Sequence, residues 1–449
     1  MDHPAAPAVF GTDYPDRRPA AAVQAERAAV ERQAGHLARL RADQPYRDNV
    51  LDTLQQRRAR RGDLVSFERI PNGGFDVLVV AGVLVADRRH LDDERVQGLI
   101  TELDLEPSPL SRLTGVVRLT PRGSDRLTGR APEALAAIER HGAPVTFDHI
   151  TPLGIVMKGK GGPNPTTGAR PFPSGPLTGV PTPVAVIDTG ISDEVRSDGW
   201  LAGIHSATND DPLDAIPQPD NLLDLAAGHG TFAIGVVQQV DPAADLRMYR
   251  AMDSDGIGSE SDVAQQIQAA VDDGARILSL SFGTQTLDDQ GPPILRAALA
   301  QAIADAPDLL VVAAAGNCSD DRPVYPAAFS QEFPDNVVAV AALTAAGTPA
   351  PWSSHGPWVT CSTVGEGVVS TYVEGTESPI VQNPGDVFPP NAWAGWTGTS
   401  FAAPQIAGAV ARRCREQPSL TPKQAFDQLI AAGNPVQYYG QAVTVLPGT

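Results

Sequence analysis

The spacing of apolar and polar residues divides the chain into regions of different periodicity. Residues 1–62 comprise a polar, Pro- and Ala-rich start, predicted to be flexible, followed by a helical segment rich in Ala, Arg, Glu and Leu. Between 63 and 157 the pattern changes, and strands are predicted at 75–87, 115–121 and 143–153, with helices at 91–106 and 131–142. This alternation predicts a small α+β domain.

A stretch rich in Gly and Pro, residues 158–183, follows and is predicted to be a linker or exposed loop. Beyond it, residues 184–449 alternate short apolar strands, such as VAVIDTG and LLVVAAAGN, with helical segments. Strands that are apolar along their whole length are typical of a parallel sheet buried on both faces. The fold class predicted for this larger region is therefore α/β.

Four arginines close the N-terminal helical region: Arg57, Arg58, Arg60 and Arg61. They can be interpreted as a docking or cleavage site, or as the solvated end of a helix. The second interpretation is favoured, because cations suit the C-terminus of a helix.

Charge and composition exclude several classes of partner. The net charge of −19 argues against nucleic acid and against an anionic membrane surface. Three cysteines do not form a disulfide framework, and they suit a reducing compartment. The N-terminus lacks a recognisable secretory signal and the apolar runs are too short to cross a bilayer. A cytoplasmic location is expected, with non-classical secretion as the alternative.

Three polar residues stand where strands end or helices begin in the larger region. Asp188 ends the strand VAVID, His229 lies between two glycines in GHGTFAIG, and Ser400 precedes a helix in GTSFAAP. Each alone is more simply explained as a turn, cap or structural residue. Strand ends and helix starts meet at one rim of a parallel sheet, so together the three suit nucleophilic catalysis.

The segments VIDTGI, GHGT and GTSFAAPQIAG, in that order, closely resemble the motifs of subtilisin-like serine proteases, and the resemblance covers residues 181–438. It implies an open, mostly parallel sheet with helices on both faces. It also implies a serine endopeptidase in which Ser400 attacks the peptide carbonyl, His229 transfers the proton, and Asp188 orients the imidazole.

The same resemblance assigns further residues. Asn317, at the end of VVAAAGN, is implied as the oxyanion-hole amide. One edge strand, at 253–259, is implied to bind a peptide by strand addition, and the segments 280–283 and 313–316 are implied to be the two walls of the pocket. The substrate-binding residues are Gly256, Ile257, Gly258, Ser281, Phe282, Gly283, Ala315 and Gly316. Val324 is expected to narrow the pocket, and Phe401 follows the nucleophile where the family often has Met.

A peptide or protein substrate is implied, and no metal or other cofactor is required for the chemistry. Structural calcium, common in the family, is left open, because the sequence holds no recognisable calcium-binding loop. The oligomeric state is not predicted.

The region 63–157 resembles the propeptide that precedes secreted members of the family, which would place autoprocessing near 150–183. The alternative is a permanent interaction domain. For the whole chain, the alternative to a peptidase is a catalytically silent pseudoprotease that binds peptides. An α/β-hydrolase esterase fits poorly, because G-x-S-x-G is absent at Ser400 and the order of the triad is reversed.

Overall fold

The computed structural model describes residues 20–61, 63–72, 76–123, 129–152, 162–174, 177–204, 207–379 and 384–446. The first elements are two helices, α1 (Ala20–Ala42) and α2 (Gln44–Arg58). Asp43 separates them, and its carboxylate accepts a hydrogen bond of 3.0 Å from the N–H of Tyr46. Together with a proline in the first turn, this is typical of a helix start, so the predicted helical region is a helical hairpin.

The small domain is an antiparallel sheet with two helices. Its elements are β1 (Phe67–Ile70), β2 (Val77–Asp87), α3 (Glu94–Glu102), β3 (Leu105–Pro109), β4 (Val116–Pro121), α4 (Ala131–His141) and β5 (Val145–His149). The long strand β2 pairs with β1, β4 and β5. It continues through Gly82 as one strand. The register with β5 shifts between Val79 and Leu84, which is where Gly82 has a positive φ. The helix predicted at 91–106 is shorter, because its end belongs to β3.

The remaining elements form the large domain. The strands are β6 (Asn164–Pro165), β7 (Pro183–Asp188), β8 (Asp245–Arg250), β9 (Ile277–Leu280), β10 (Leu310–Ala314), β11 (Val337–Leu343), β12 (Cys361–Val364), β13 (Val368–Thr371), β14 (Gly375–Thr376), β15 (Val387–Phe388), β16 (Trp393–Trp396), β17 (Asn434–Val436) and β18 (Gly440–Ala442). The helices are α5 (His229–Val240), α6 (Glu260–Asp272), α7 (Pro293–Asp305), α8 (Ala403–Glu416) and α9 (Pro422–Ile430).

Eight of these strands make the central sheet, in the order β17-β18-β12-β11-β10-β9-β7-β8. All neighbours are parallel except β17 and β18. Along β7, Val184 and Val186 join the core under α5 and α8, whereas Ala185 and Ile187 join the core under α6 and α7. The predicted α/β fold, with helices on both faces of a mostly parallel sheet, is confirmed.

The strand order reverses at β7, because β8 lies on one side of it and β9 on the other. Ligands of open α/β sheets bind at such a point, beyond the carboxyl ends of the strands. Asp188, the last residue of β7, therefore stands where a site is expected.

The N-terminal part of the chain, residues 20–152, packs against the large domain. Val85 and Val116 of the small domain contact a cluster on α6 and α7 that includes Ala264 and Ile294. Farther along, β6 pairs antiparallel with β16, so this piece of the predicted exposed linker is a strand.

No helix of the described ranges is both long and apolar enough to cross a membrane.

Candidate active site

Asp188 and His229 are held together at the carboxyl rim of the sheet. His229 is the first residue of α5, and its Nδ1 lies 2.8 Å from Oδ1 and 3.0 Å from Oδ2 of Asp188. Since a carboxylate only accepts hydrogen bonds, this contact keeps a proton on Nδ1 and leaves Nε2 to face the opposite side. Both side chains are buried.

Glycine is required next to this histidine. A Cβ on Gly230 would lie 2.1 Å from the carbonyl oxygen of Gly190, in the loop after β7. The close approach of the two main chains is what sets the imidazole against the carboxylate. The glycines that flank His229 in the sequence thus reflect packing at the site.

Ser400 lies in a short 3₁₀ turn, Thr399–Phe401, directly before α8. Its hydroxyl donates to the carbonyl oxygen of Ser281 at 3.0 Å, and the hydroxyl of Ser281 donates back to the carbonyl oxygen of Ser400 at 2.9 Å. These two bonds fasten the turn to the end of β9. Within the described residues no hydrogen bond joins Ser400 Oγ to His229.

Asn317 is oriented by the turn that carries the serine. Its Oδ1 accepts hydrogen bonds of 3.0 Å from both the N–H and the hydroxyl of Thr399. The hydroxyl oxygen of Thr399 in turn accepts the N–H of Gly316 at 3.1 Å. With its oxygen engaged twice, the amide of Asn317 has its NH₂ group near Gly398, and within the described ranges no hydrogen bond engages that group. The sequence did not single out Thr399.

Two edges of the large domain, the predicted edge strand at 253–259 and the predicted pocket wall at 280–283, hold a piece of the chain itself. The N–H and hydroxyl of Thr151 donate to the carbonyl oxygen of Gly258, at 2.9 and 3.2 Å, and the N–H of Gly283 donates to that of Pro152 at 3.1 Å. The bridge between Ile150 and Ser259 is antiparallel. Residues 150–152 therefore lie as a strand between the two edges.

Not every predicted residue touches this strand directly. Gly256 forms a turn, with its N–H on the carbonyl oxygen of Asp253 and a positive φ of 79°. Ile257 lies in the apolar cluster that also contains Ile150 of this strand. Ala315 is buried in the core, and its neighbours Ala314 and Gly316 line the pocket.

The pocket next to Ser400 is lined on its walls by Ser281, Phe282, Gly283 and Gly316. Val324 fills the space between the walls. Its Cγ1 atom would lie 2.5 Å from a Cβ built on Gly283 and 3.2 Å from a Cβ built on Gly316.

Cys318 lines the same pocket, and burial is the main cause that raises the pKa of its thiol to about 12. The thiol is therefore protonated at neutral pH and a poor nucleophile. In the described part of the chain, no group of three or more His, Cys, Asp or Glu side chains is arranged to hold a metal ion.

Comparison with known proteins identifies the large domain. The model of the subtilase family matches residues 181–439, more than half of the chain. The chain belongs to the subtilase family. The resemblance stated from the motifs is confirmed, and the large domain is a subtilase domain.

Two relatives illustrate the similarity. A thermostable alkaline protease of Halalkalibacterium halodurans is 31% identical over 54% of this chain, which spans 59% of that relative's length. Alkaline elastase YaB of Bacillus sp. (strain YaB) is 30% identical over 70% of this chain and 72% of its own.

Among solved structures, fervidolysin from Fervidobacterium pennivorans, described as a keratinolytic enzyme related to subtilisin, aligns with a TM-score of 0.54. The alignment has 19% identity and covers 82% of this chain and 60% of fervidolysin. It supports the fold of the subtilase domain.

Proposed function

We propose that this chain is a serine endopeptidase with Asp188, His229 and Ser400 as its triad. The observation that carries the proposal is the Nδ1–Oδ1 contact of 2.8 Å between His229 and Asp188, on the rim that also holds Ser400. An aspartate bound to Nδ1 keeps the imidazole in the tautomer that accepts a proton at Nε2.

In the proposed reaction, Oγ of Ser400 attacks the peptide carbonyl and its proton passes to Nε2 of His229. The imidazolium, stabilised by Asp188, then gives the proton to the leaving amine, and water repeats the sequence on the acyl-enzyme. The NH₂ of Asn317 and the N–H of Ser400 stabilise the oxyanion.

We further propose that the first peptide bond cut lies within the chain itself. Residues 150–152 occupy the edges at Gly258 and Gly283, and β6 pairs with β16, four residues before Ser400. Residues 153–161, outside the described residues, connect these two places. Cleavage there would separate the N-terminal part from the subtilase domain, as the propeptide interpretation requires.

Two measurements test both proposals. Mass spectrometry of the purified chain should show a cut between 152 and 162 in the wild type and none in Ser400→Ala. A fluorophosphonate should label the wild type at Ser400 and leave Ser400→Ala unlabelled. An intact, unlabelled wild type would contradict the endopeptidase proposal.

The second candidate function is a peptide-binding pseudoprotease. It is favoured by the hydrogen bond from Ser400 Oγ to the carbonyl of Ser281, which engages the hydroxyl away from His229. A pseudoprotease would bind peptides at Gly258 and Gly283 without fluorophosphonate labelling, so the same assay separates the two candidates.

A further inference from the structure

Of the four arginines that the sequence predicted to be a solvated helix end, Arg60 is exposed but Arg57 and Arg58 are buried. The side chains of Arg57 and Arg58 are only 8% and 4% exposed. Both reach from the N-terminal part into the subtilase domain, where Arg57 meets Asp224 and Asp255, and Arg58 lies 2.6 Å from Asp253. For these two residues, the interpretation as a docking site, here between the N-terminal part and the subtilase domain, fits better than the solvated end of a helix.

The guanidinium of Arg57 is bound by several oxygens at once. Its Nε and Nη2 donate to the two carboxylate oxygens of Asp255, both at 3.1 Å, which is the bidentate fork geometry. Nη2 also lies 2.7 Å from Oδ1 of Asp224 and contacts the carbonyl oxygen of Ile216. A lysine ammonium could not reproduce this planar arrangement.

Groups of the subtilase domain orient these acceptors without help from α2. The second oxygen of Asp224 accepts the N–H groups of Ala215 and Ile216, at 2.7 and 3.0 Å, and the hydroxyl of Ser254 at 2.5 Å. Oδ1 of Asp255 also accepts the N–H of Leu225 at 3.1 Å. These acceptors are therefore held in place by hydrogen bonds within the subtilase domain.

A cation is needed in this position. The carboxylates of Asp224 and Asp255 are 2% and 0% exposed. Burial is the main cause that raises the pKa of Asp224 to about 6, even with Arg57 in place. Without the guanidinium, two carboxylates would share a space withdrawn from water, which is strongly unfavourable.

The site lies beside the substrate-binding edge, because Asp255 directly precedes Gly256. Next to it, Leu225 and Ile257 of the subtilase domain pack in one cluster with Leu51 and Leu54 of α2, and with Ile150. The arginine contact and the strand at 150–152 are thus two separate attachments of the same N-terminal part.

We propose that Asp224, Asp255 and the carbonyl oxygen of Ile216 form a guanidinium-binding site of the subtilase domain. Its occupant, Arg57, keeps the N-terminal part bound after the connecting segment has been cut. Release of the N-terminal part, and with it access of substrates to the cleft, is then controlled from a site outside the cleft. Only this consequence for substrates rests on the proposed function; the binding site itself does not.

The test uses a cut that does not depend on the protein's own activity. Lysine occurs in this chain only at Lys158, Lys160 and Lys423. In the full chain carrying Ser400→Ala and Lys423→Arg, endoproteinase Lys-C can therefore cut only in the connecting segment. The dissociation constant of the two fragments is then measured by gel filtration at falling protein concentration.

We expect Arg57→Ala to raise this dissociation constant by about 30-fold or more. This factor is the lower end of the range of affinity losses that follow the removal of one partner of a buried charge pair. The matched control is Arg89→Ala, also in the N-terminal part, whose side chain is 84% exposed and paired with Asp87. It should change the constant by less than about threefold, as exposed pairs do.

Chemical rescue separates a guanidinium site from a merely structural arginine. Methylguanidinium at tens of millimolar should tighten the cut Arg57→Ala complex several-fold relative to the same concentration of NaCl, and should not tighten the complex that retains Arg57. Equal constants for the two alanine variants, or an absence of rescue, would overturn the proposal.

If Arg57→Ala does not fold, Arg57→Lys provides the second variant. It retains the charge and loses the fork, so its dissociation constant should be higher than that of the chain with Arg57, and an equal constant would count against a guanidinium site. Since all variants carry Ser400→Ala, an absence of peptidase activity would leave these results unchanged.

Discussion

The carbonyl oxygen of Pro152 accepts a hydrogen bond of 3.1 Å from the N–H of Gly283. Together with the bond from Thr151 to Gly258, it makes the end of the N-terminal part an added strand between the two edges of the cleft. A peptide substrate bound by strand addition would need the same main-chain groups. On the proposed function, the N-terminal part and a peptide bound in this way would therefore exclude each other.

The first prediction weakens this added strand at one atom. Thr151→Pro removes the N–H that donates to Gly258 and, like Thr151→Val, the hydroxyl that donates to the same oxygen; the fixed φ of proline suits an extended segment. We expect fluorophosphonate to label Ser400 roughly 2- to 10-fold faster in Thr151→Pro than in the control, because this factor corresponds to the net free energy of one main-chain hydrogen bond. Thr151→Val, which keeps the N–H, is the control. A labelling rate for Thr151→Pro that matches this control would contradict the prediction.

The second prediction concerns the orientation of Asn317 by Thr399. Thr399→Val removes the hydroxyl that donates to Oδ1 of Asn317, so kcat for a peptide substrate should fall about tenfold with little change in KM. Asn317→Ala should lower kcat by about 10²–10³.

In the Asn317→Ala background the further effect of Thr399→Val should largely vanish, since the two residues act through one donor. Fully additive losses in this double-mutant cycle would show that Thr399 acts elsewhere.

The third prediction enlarges the pocket beside Ser400. Val324 Cγ1 fills the space between Gly283 and Gly316, so the wild type should prefer small side chains before the scissile bond. Val324→Gly should raise kcat/KM for Leu or Phe relative to Ala at this position by about tenfold or more. The check is a peptide series that differs only there, with Val324→Ala expected in between. An unchanged ranking of the peptides would show that Val324 does not set the preference.

Local sequence was sufficient to propose Asp188, His229 and Ser400 as a site and to anticipate the contact between Asp188 and His229, because each sits at a strand end or helix start whose flanking glycines allow close packing. It could not give the environment of Arg57. A helix pattern shows which face a side chain occupies, whereas the partners of Arg57 in the site lie 159 to 198 residues away in sequence. The direction of the Ser400 hydroxyl was equally hidden, since it depends on the carbonyl of Ser281 across the sheet edge.

The fourth prediction follows from a buried carboxyl group of the N-terminal part, that of Asp148 in β5. Asp148 is fully buried near Arg118 of β4 and Glu260, Ser261 and Asp262 of α6, and burial is the main cause that raises its pKa from 3.8 to about 8. Between these two values the folded chain holds a proton that the unfolded chain has lost. The free energy of unfolding should therefore fall as pH rises from about 4 to 8, and this contribution should level off above 8.

Melting temperatures of Ser400→Ala, with and without Asp148→Asn, measured from pH 5 to 8, check this sign. The decline with pH should be smaller in the variant, whereas Asp305→Asn, at an exposed position, should leave it unchanged. Parallel pH profiles with and without Asp148→Asn would assign the decline to other groups.

The fifth prediction concerns oxidation beside the nucleophile. Phe401 follows Ser400, and the centroid of its ring lies 5.2 Å from the ring centroid of His229. Phenylalanine has no thioether that peroxide could oxidise. The thiol of Cys318 is protonated at neutral pH, because burial raises its pKa to about 12, so it is a slow target for peroxide. We expect the wild type to keep its activity in mild peroxide and Phe401→Met to lose activity as one oxygen is added at that methionine. Residual activity and the mass of the peptide around Ser400 are measured in parallel, and rapid loss in the wild type with unmodified cysteines would refute the idea.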